Sequence, residues 1–215
     1  MKSLLPLALL AAFVAAPMAV AGLRLEDEKV TDEEKKKPKP LKLGSVVDEK
    51  LSFKDIEGNT MTMKDLRGKV VFVHFHSMTC PYMGPAEPKI IQMVKDYAKK
   101  DVAFVGINAN QRELGKKPGK MMEDVPYETL KKHVKENEVN FPIVPDHGAE
   151  IADLFGARTT PHCYVIDKKG AVAYIGALDD DPRGKKEKPV NYVSQAIDAL
   201  LAGKKIEQSQ TKPYG

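Results

Sequence analysis

The sequence predicts an α/β fold: a mixed central sheet of about five strands flanked by helices, with an N-terminal β-hairpin. Three observations carry that prediction. Val70 to Phe75 is a near-continuous apolar run, the pattern of a central strand buried on both faces. Helical spacing follows it, and then a second apolar run from Val102 to Ile107, a β-α-β order that implies parallel pairing through a right-handed crossover. Late in the chain, Cys163 to Ile166 and Ala171 to Ala177 flank the turn Asp167-Lys168-Lys169-Gly170, so an antiparallel hairpin joins the sheet and makes it mixed.

The elements follow in order. Residues 1–21 combine Lys2, an apolar stretch from Leu4 to Val20 and the small-residue ending Ala19-Val20-Ala21. That is the pattern of a secretory signal peptide cleaved after Ala21, which predicts a secreted or periplasmic protein with no membrane association once cleaved. Residues 22–40, with Glu26-Asp27-Glu28 and the block from Glu33 to Pro40, bury little and read as a flexible charged linker. Residues 41–205 form the domain and 206–215 a polar tail. Two period-two runs, Leu51 to Ile56 and Thr60 to Met63, flank Glu57-Gly58-Asn59 and predict the hairpin.

From Pro81 to Lys100, Ile90, Ile91, Val94, Tyr97 and Ala98 recur at helical spacing. Gln111 to Val125 loses its pattern at Gly115, Pro118 and Gly119 and reads as a surface insertion. Tyr127 to Glu138 predicts a helix, Phe141 to Val144 a short strand, and His147 to Phe155 a helix stopped by Gly156. Val190 to Ala202 closes the domain as an amphipathic helix. The 34 Lys and Arg nearly balance 30 Asp and Glu, for a formal net charge of +4. That balance, without aromatic-rich basic motifs, argues against nucleic acid as a partner.

Cys80-Pro81 stands where the pattern places the first turn of the helix after Val70 to Phe75. Free N–H groups and the helix dipole favour an anion there, which suits a thiolate used in redox chemistry or as a metal ligand. The other cysteine, Cys163, follows Thr159-Thr160-Pro161-His162. Two cysteines cannot make a disulfide framework; they are one pair or two separate thiols.

Phe75 five residues before Cys80, Pro88 eight residues after it and the distant Thr160-Pro161 together resemble the thioredoxin-like superfamily. Within it the chain is most similar to the redoxin, or alkyl hydroperoxide reductase and thiol-specific antioxidant, type, in the peroxiredoxin-like subgroup with a Cys-Pro-Tyr motif, here Cys80-Pro81-Tyr82. The resemblance implies a thiol-disulfide oxidoreductase with antioxidant activity, needing no cofactor and acting on protein or small-molecule thiols and disulfides. It implies Cys80 as the nucleophile and a cis Thr160-Pro161 bond beside it, with Thr160, Pro161, Pro81 and Tyr82 framing the substrate. Oligomeric state stays open.

The departures are as informative. Met83 replaces the second cysteine of a Cys-x-x-Cys site, and Ser77 stands where the subgroup has a cysteine three residues earlier, so both usual partners of Cys80 are missing. A serine at that place is also a peroxiredoxin feature, but Val73 and Pro161 stand where a peroxidase has its loop proline and its arginine. His162 beside the loop is a weak substitute for that charge. Residues two apart share a strand face, which puts Cys163 on the face of Pro161, one step deeper. Cys163 is then either a small core residue or a displaced resolving thiol.

His74 and His76 share the strand face opposite to Phe75. In the family alignment His74 replaces a buried acid and can serve as general base, or it is a core histidine. His133 and His147 are expected to face solvent. Thiolate, thioether and imidazole from His76, Cys80, Met83 and Cys163 form an alternative Cu(I) set. Binding of an extended peptide along Thr160-Pro161 without turnover is the other alternative.

Overall fold

The computed structural model describes residues 38–119 and 127–215. The signal-peptide reading and most of the charged linker lie outside the described residues. Strands β1 (Ser52–Lys54) and β2 (Thr60–Thr62) pair antiparallel in a sheet of their own. Asp55 fixes the hairpin turn: its Oδ1 accepts the backbone N–H groups of Glu57 and Asn59. Gly58, at φ +91°, takes the left-handed conformation that the turn requires.

The main sheet contains β3 (Val70–His76), β4 (Val102–Asn108), β5 (Ile143–Pro145), β6 (His162–Ile166) and β7 (Val172–Gly176), in the order β5-β4-β3-β6-β7. β3 runs parallel to β4 and β4 to β5, whereas β6 lies antiparallel to β3 and β7 antiparallel to β6. The predicted mixed five-stranded sheet and hairpin are therefore both present. All seven residues of β3 are buried, His74 and His76 included, which explains why its sequence is largely apolar on both faces rather than alternating.

Helices α1 (Met83–Asp96) and α5 (Tyr192–Leu201) cover one face, packing Ile90, Val193 and Ile197 onto Phe72, Cys163 and Val165. Helix α3 (Glu128–Glu136) adds Leu130 to the same core. On the other face the hairpin and α4 (Glu150–Phe155) bury Phe53 and Phe155 against Val73, Phe75 and Tyr164. Truncating a side chain such as Phe72, fully buried between β3 and α1, would cost about 3–5 kcal/mol.

Three sequence expectations change here. Helix α1 begins at Met83 rather than Pro81, so Cys80 precedes the helix. The segment after Asn110 is not all surface insertion: α2 (Gln111–Leu114) is a short helix that buries Glu113 and Leu114, capped by the Asn110 side chain, which accepts the Arg112 N–H. Residues 120–126 lie outside the described residues. The helix expected from His147 forms from Glu150, once Asp146 has accepted the N–H groups of Ile151 and Ala152.

Candidate active site around Cys80

After β3 the chain turns sharply. The Cys80 N–H donates to the Ser77 carbonyl at 3.3 Å, and the Met83 N–H donates to the Cys80 carbonyl at 3.0 Å. Cys80 thus stands two residues ahead of Tyr82, the N-cap of α1, and Tyr82 contributes no side-chain cap. Because helix-end electrostatics fade within a turn, the first-turn argument applies to Cys80 only weakly. A loop holds it instead.

That loop is organised by Glu113. Its carboxylate accepts from Ser77 Oγ at 2.6 Å, the Met78 and Thr79 N–H groups at 2.9 Å each, and Thr79 Oγ1 at 2.7 Å. The side-chain amides of Asn108 and Asn110 donate to it as well, at 2.6 and 2.9 Å. Burial alone would raise this carboxyl, but the bonds from Ser77, Thr79 and Asn108 outweigh it and bring it from 4.5 down to about 2. An acid ionised at neutral pH therefore pins all three residues that lead into Cys80. Ser77 serves this clamp.

Facing the loop is the turn before β6. The Thr160–Pro161 bond is cis, and Cys80 Sγ donates to the Thr160 carbonyl at 2.9 Å. This contact joins two segments eighty residues apart and leaves the thiol half-buried at the surface. Pro81 is exposed and Tyr82 half-buried on its solvent side, while Pro161 is buried. A depression of about 390 Å³ lies alongside, lined by Ser77, Asn110, Arg158, Thr159 and Thr160 among others.

Cys163 has a different setting. It is 0% exposed in the core between β3 and the α1/α5 layer, directly opposite His74 in the β3/β6 register. Burial, with Asp179 nearby, pushes its thiol well above the ordinary range, so it stays protonated. His74 is equally buried, stacked on Phe72 and edge-on to Phe141, and neither ring nitrogen has a hydrogen-bond partner. Burial first, and His76 second, push its pKa well down, so the ring is neutral. Burial likewise lowers His162 to about 4; its Nδ1 lies 3.3 Å from the Tyr164 hydroxyl, on the hairpin side of the sheet. It brings no charge to Cys80.

The alternative Cu(I) set does not assemble. Met83 is packed in the core, Cys163 is sealed in it, and His76 turns its Nε2 to Glu87 at 2.7 Å while the Cys80 thiol meets Thr160. His133 and His147, expected to face solvent, are each half-buried and hydrogen-bonded. His133 Nε2 bonds Glu87 Oε1 at 2.9 Å, and His147 Nε2 meets the Tyr127 hydroxyl at 3.2 Å.

The segment read as a polar tail is part of the site's surroundings. Ser209 and Thr211 pair with Ile175 of β7 through backbone hydrogen bonds, and Tyr214 donates to Asp179 at 2.8 Å while its ring lies 6.0 Å from that of Tyr82. Gly215 rests on the cis-proline turn: a Cβ there would come within 2.8 Å of the Thr160 backbone.

A mixed five-stranded sheet, with a loop cysteine against a cis-proline turn, defines a thioredoxin-like protein. More narrowly, the chain belongs to the AhpC/TSA family, which matches residues 45–175. It is 27% identical over 123 residues to the thiol-disulfide oxidoreductase ResA of Halalkalibacterium halodurans, covering 57% of this chain and 62% of that protein. ResA of Bacillus thuringiensis subsp. konkukian is 27% identical over 118 residues, covering 55% and 60%. The chain thus spans about three fifths of the length of these curated relatives.

Among solved structures, the hypothetical protein SMc02350 of Sinorhizobium meliloti 1021 superposes with a TM-score of 0.67 at 26% identity, over 81% of this chain and 92% of that one. A thiol:disulfide interchange protein of Chlorobium tepidum TLS, at TM-score 0.51 and 20% identity over 77% and 98% of the two chains, shares the fold. Among the described residues no helix is long and apolar enough to cross a membrane.

Proposed function

We propose that the protein is an exported thiol-disulfide oxidoreductase that works through one cysteine, Cys80, with an external thiol completing the cycle. The Cys80 thiol gives up its bond to the Thr160 carbonyl and loses its proton to solvent. The thiolate attacks a substrate disulfide, the substrate S–S bond breaks, and a Cys80 mixed disulfide forms as the second substrate sulfur leaves as a thiolate. An external thiolate then attacks the mixed disulfide and returns Cys80 as a thiolate. Thr160 and Pro161 align the substrate at the turn that Cys80 already touches. The observation that carries this reading is the 2.9 Å contact between Cys80 Sγ and the carbonyl of Thr160, a residue that also lines a surface depression.

External resolution follows from the rest of the site. The resolving position three residues on is Met83, and Cys163 is buried, protonated and part of the core. Such a thiol is a poor nucleophile. His74, neutral and without hydrogen-bond partners, fits a core residue better than a general base. Export is supported by the signal-like residues 1–21 and gives the cysteine a compartment where disulfides persist.

The test is reduction of a protein disulfide in the presence of a small dithiol. Wild type and Cys163→Ser should turn over alike and Cys80→Ser should be inactive. Loss of activity in Cys163→Ser, with the fold retained, would restore Cys163 as the resolving thiol. A wild type that binds an extended peptide at Thr160-Pro161 but never turns over would favour the binding reading, which the missing second thiol supports.

A further inference from the structure

A second cluster of polar side chains lies where β3, α1 and α3 meet, and the chemistry of Cys80 makes no use of it. Glu87 sits on the core face of α1, between Met83 and Ile90, and is 7% exposed. Its Oε1 is 2.7 Å from His76 Nε2 and 2.9 Å from His133 Nε2, and its Oε2 is 3.1 Å from the latter. One ligand atom from each of the three residues lies within 4.8 Å of the other two. Among the described residues the ion-pair partners of Glu87 are these two imidazoles, with no Lys or Arg. A buried carboxylate whose only partners are imidazoles invites a cation.

We propose that His76, Glu87 and His133 bind a divalent first-row metal ion of the zinc class through Nε2, a carboxylate oxygen and Nε2. Two histidines and a glutamate are a ligand set of three-residue zinc centres that keep one coordination position open. Tetrahedral ligation at about 2.0–2.1 Å puts ligand atoms roughly 3.3 Å apart, so the present contacts need only open slightly. His133 has the freedom to do so, with a side chain 19% exposed at the edge of α3.

Each imidazole must present its Nε2 lone pair, which moves its proton to Nδ1. For His133, the Asn137 side-chain nitrogen lies 3.2 Å from Nδ1 and also donates to the His133 carbonyl at 3.0 Å, so this amide must turn away from both for Nδ1 to carry the proton. For His76, Nδ1 has no hydrogen-bond partner and is available to carry it.

Glu87 and His133 also line a cavity of about 540 Å³, shared with Ser77 and Met83. That cavity gives the ion an entry path and the open position a place to hold water or a small ligand. The ion would tie α3 to α1 and to β3 just before Ser77, where the Cys80 loop begins.

The full chain, without an affinity tag and stripped by a chelator, should be titrated with CoCl₂. The expected result is one equivalent bound, with visible d–d bands but no thiolate charge-transfer band, and displacement by ZnCl₂. His133→Ala should weaken binding by more than about 100-fold, beyond the roughly 10- to 100-fold loss typical of outer-shell changes. Cys80→Ser should bind as wild type, which separates this site from the thiol chemistry. Glu87→Gln, tested alongside, keeps the proposal open to refutation should His133→Ala not fold. No saturable binding, binding unaffected in a folded His133→Ala or Glu87→Gln protein, or a thiolate band that disappears in Cys80→Ser would overturn the proposal.

Discussion

Cys80 and Cys163 are the two cysteines of one chain, and the structure gives them opposite environments. Cys80 is half-exposed on a loop pinned by an ionised glutamate, its sulfur on a backbone carbonyl of the facing turn. Cys163 is sealed in the sheet opposite a neutral histidine. Strand geometry put Cys163 on the expected face, one step below Pro161, but that step takes it into the core. A cysteine's neighbourhood in sequence says little about its chemistry; burial and the polar groups that reach it decide that.

The largest effect expected from this contrast is in alkylation. In the folded, reduced protein Cys80 should react with iodoacetamide more than about 100-fold faster than Cys163, because the latter reacts only when the core opens. Labelling followed by peptide mass mapping measures both rates. Comparable rates would erase the contrast.

Glu113→Gln comes next. The amide loses the charge and turns an N–H₂ group toward donors, so unfolding by urea should show a loss of about 2–3 kcal/mol, more than the ~1 kcal/mol of one ordinary hydrogen bond. The pH dependence has a definite sign. With the carboxyl held below its unfolded value of 4.5, its contribution is fully present above that pH and is lost as the pH falls through about 2. Wild type should lose stability across that window, and Glu113→Gln should lose less.

Removing residues 212–215 should have a smaller effect. Tyr214 and Gly215 lie against Tyr82 and Thr160, so their loss should speed Cys80 alkylation by roughly 2- to 5-fold, as expected for uncovering a partly shielded surface group, and leave Cys163 unchanged. An unchanged Cys80 rate would mean that the tail does not shield the thiol. His74→Leu should change least. Replacing a ring with two unpartnered buried nitrogens by an apolar side chain should alter stability by less than about 1.5 kcal/mol in either direction. Cys80 reactivity should stay the same, and a large fall would return His74 to the role of base.

The strands were legible because their signal is local: β3 and β4 are apolar on both faces, and the hairpin alternates around Asp55 to Asn59. The meeting of Cys80 with Thr160-Pro161 was reached through the family resemblance, since nothing local joins segments so far apart. Glu113 was missed because it lies in a stretch rich in glycine and proline, where a carboxylate reads as surface charge. The Asn110 cap was its only local sign. Glu87 left a clearer trace, a charge on the apolar stripe of α1 between Met83 and Ile90, but its partners come from another strand and another helix.

In the proposed mechanism Cys80 alone carries the thiol chemistry. The most direct measurement is the intact mass of the reduced full chain after incubation with excess oxidised glutathione, read without reductant. With Cys80 acting alone, the product carries one glutathione per chain, mapped to Cys80 and absent from Cys80→Ser. A species lighter by two hydrogens, with Cys80 joined to Cys163, would contradict it, as would a glutathione carried on Cys163.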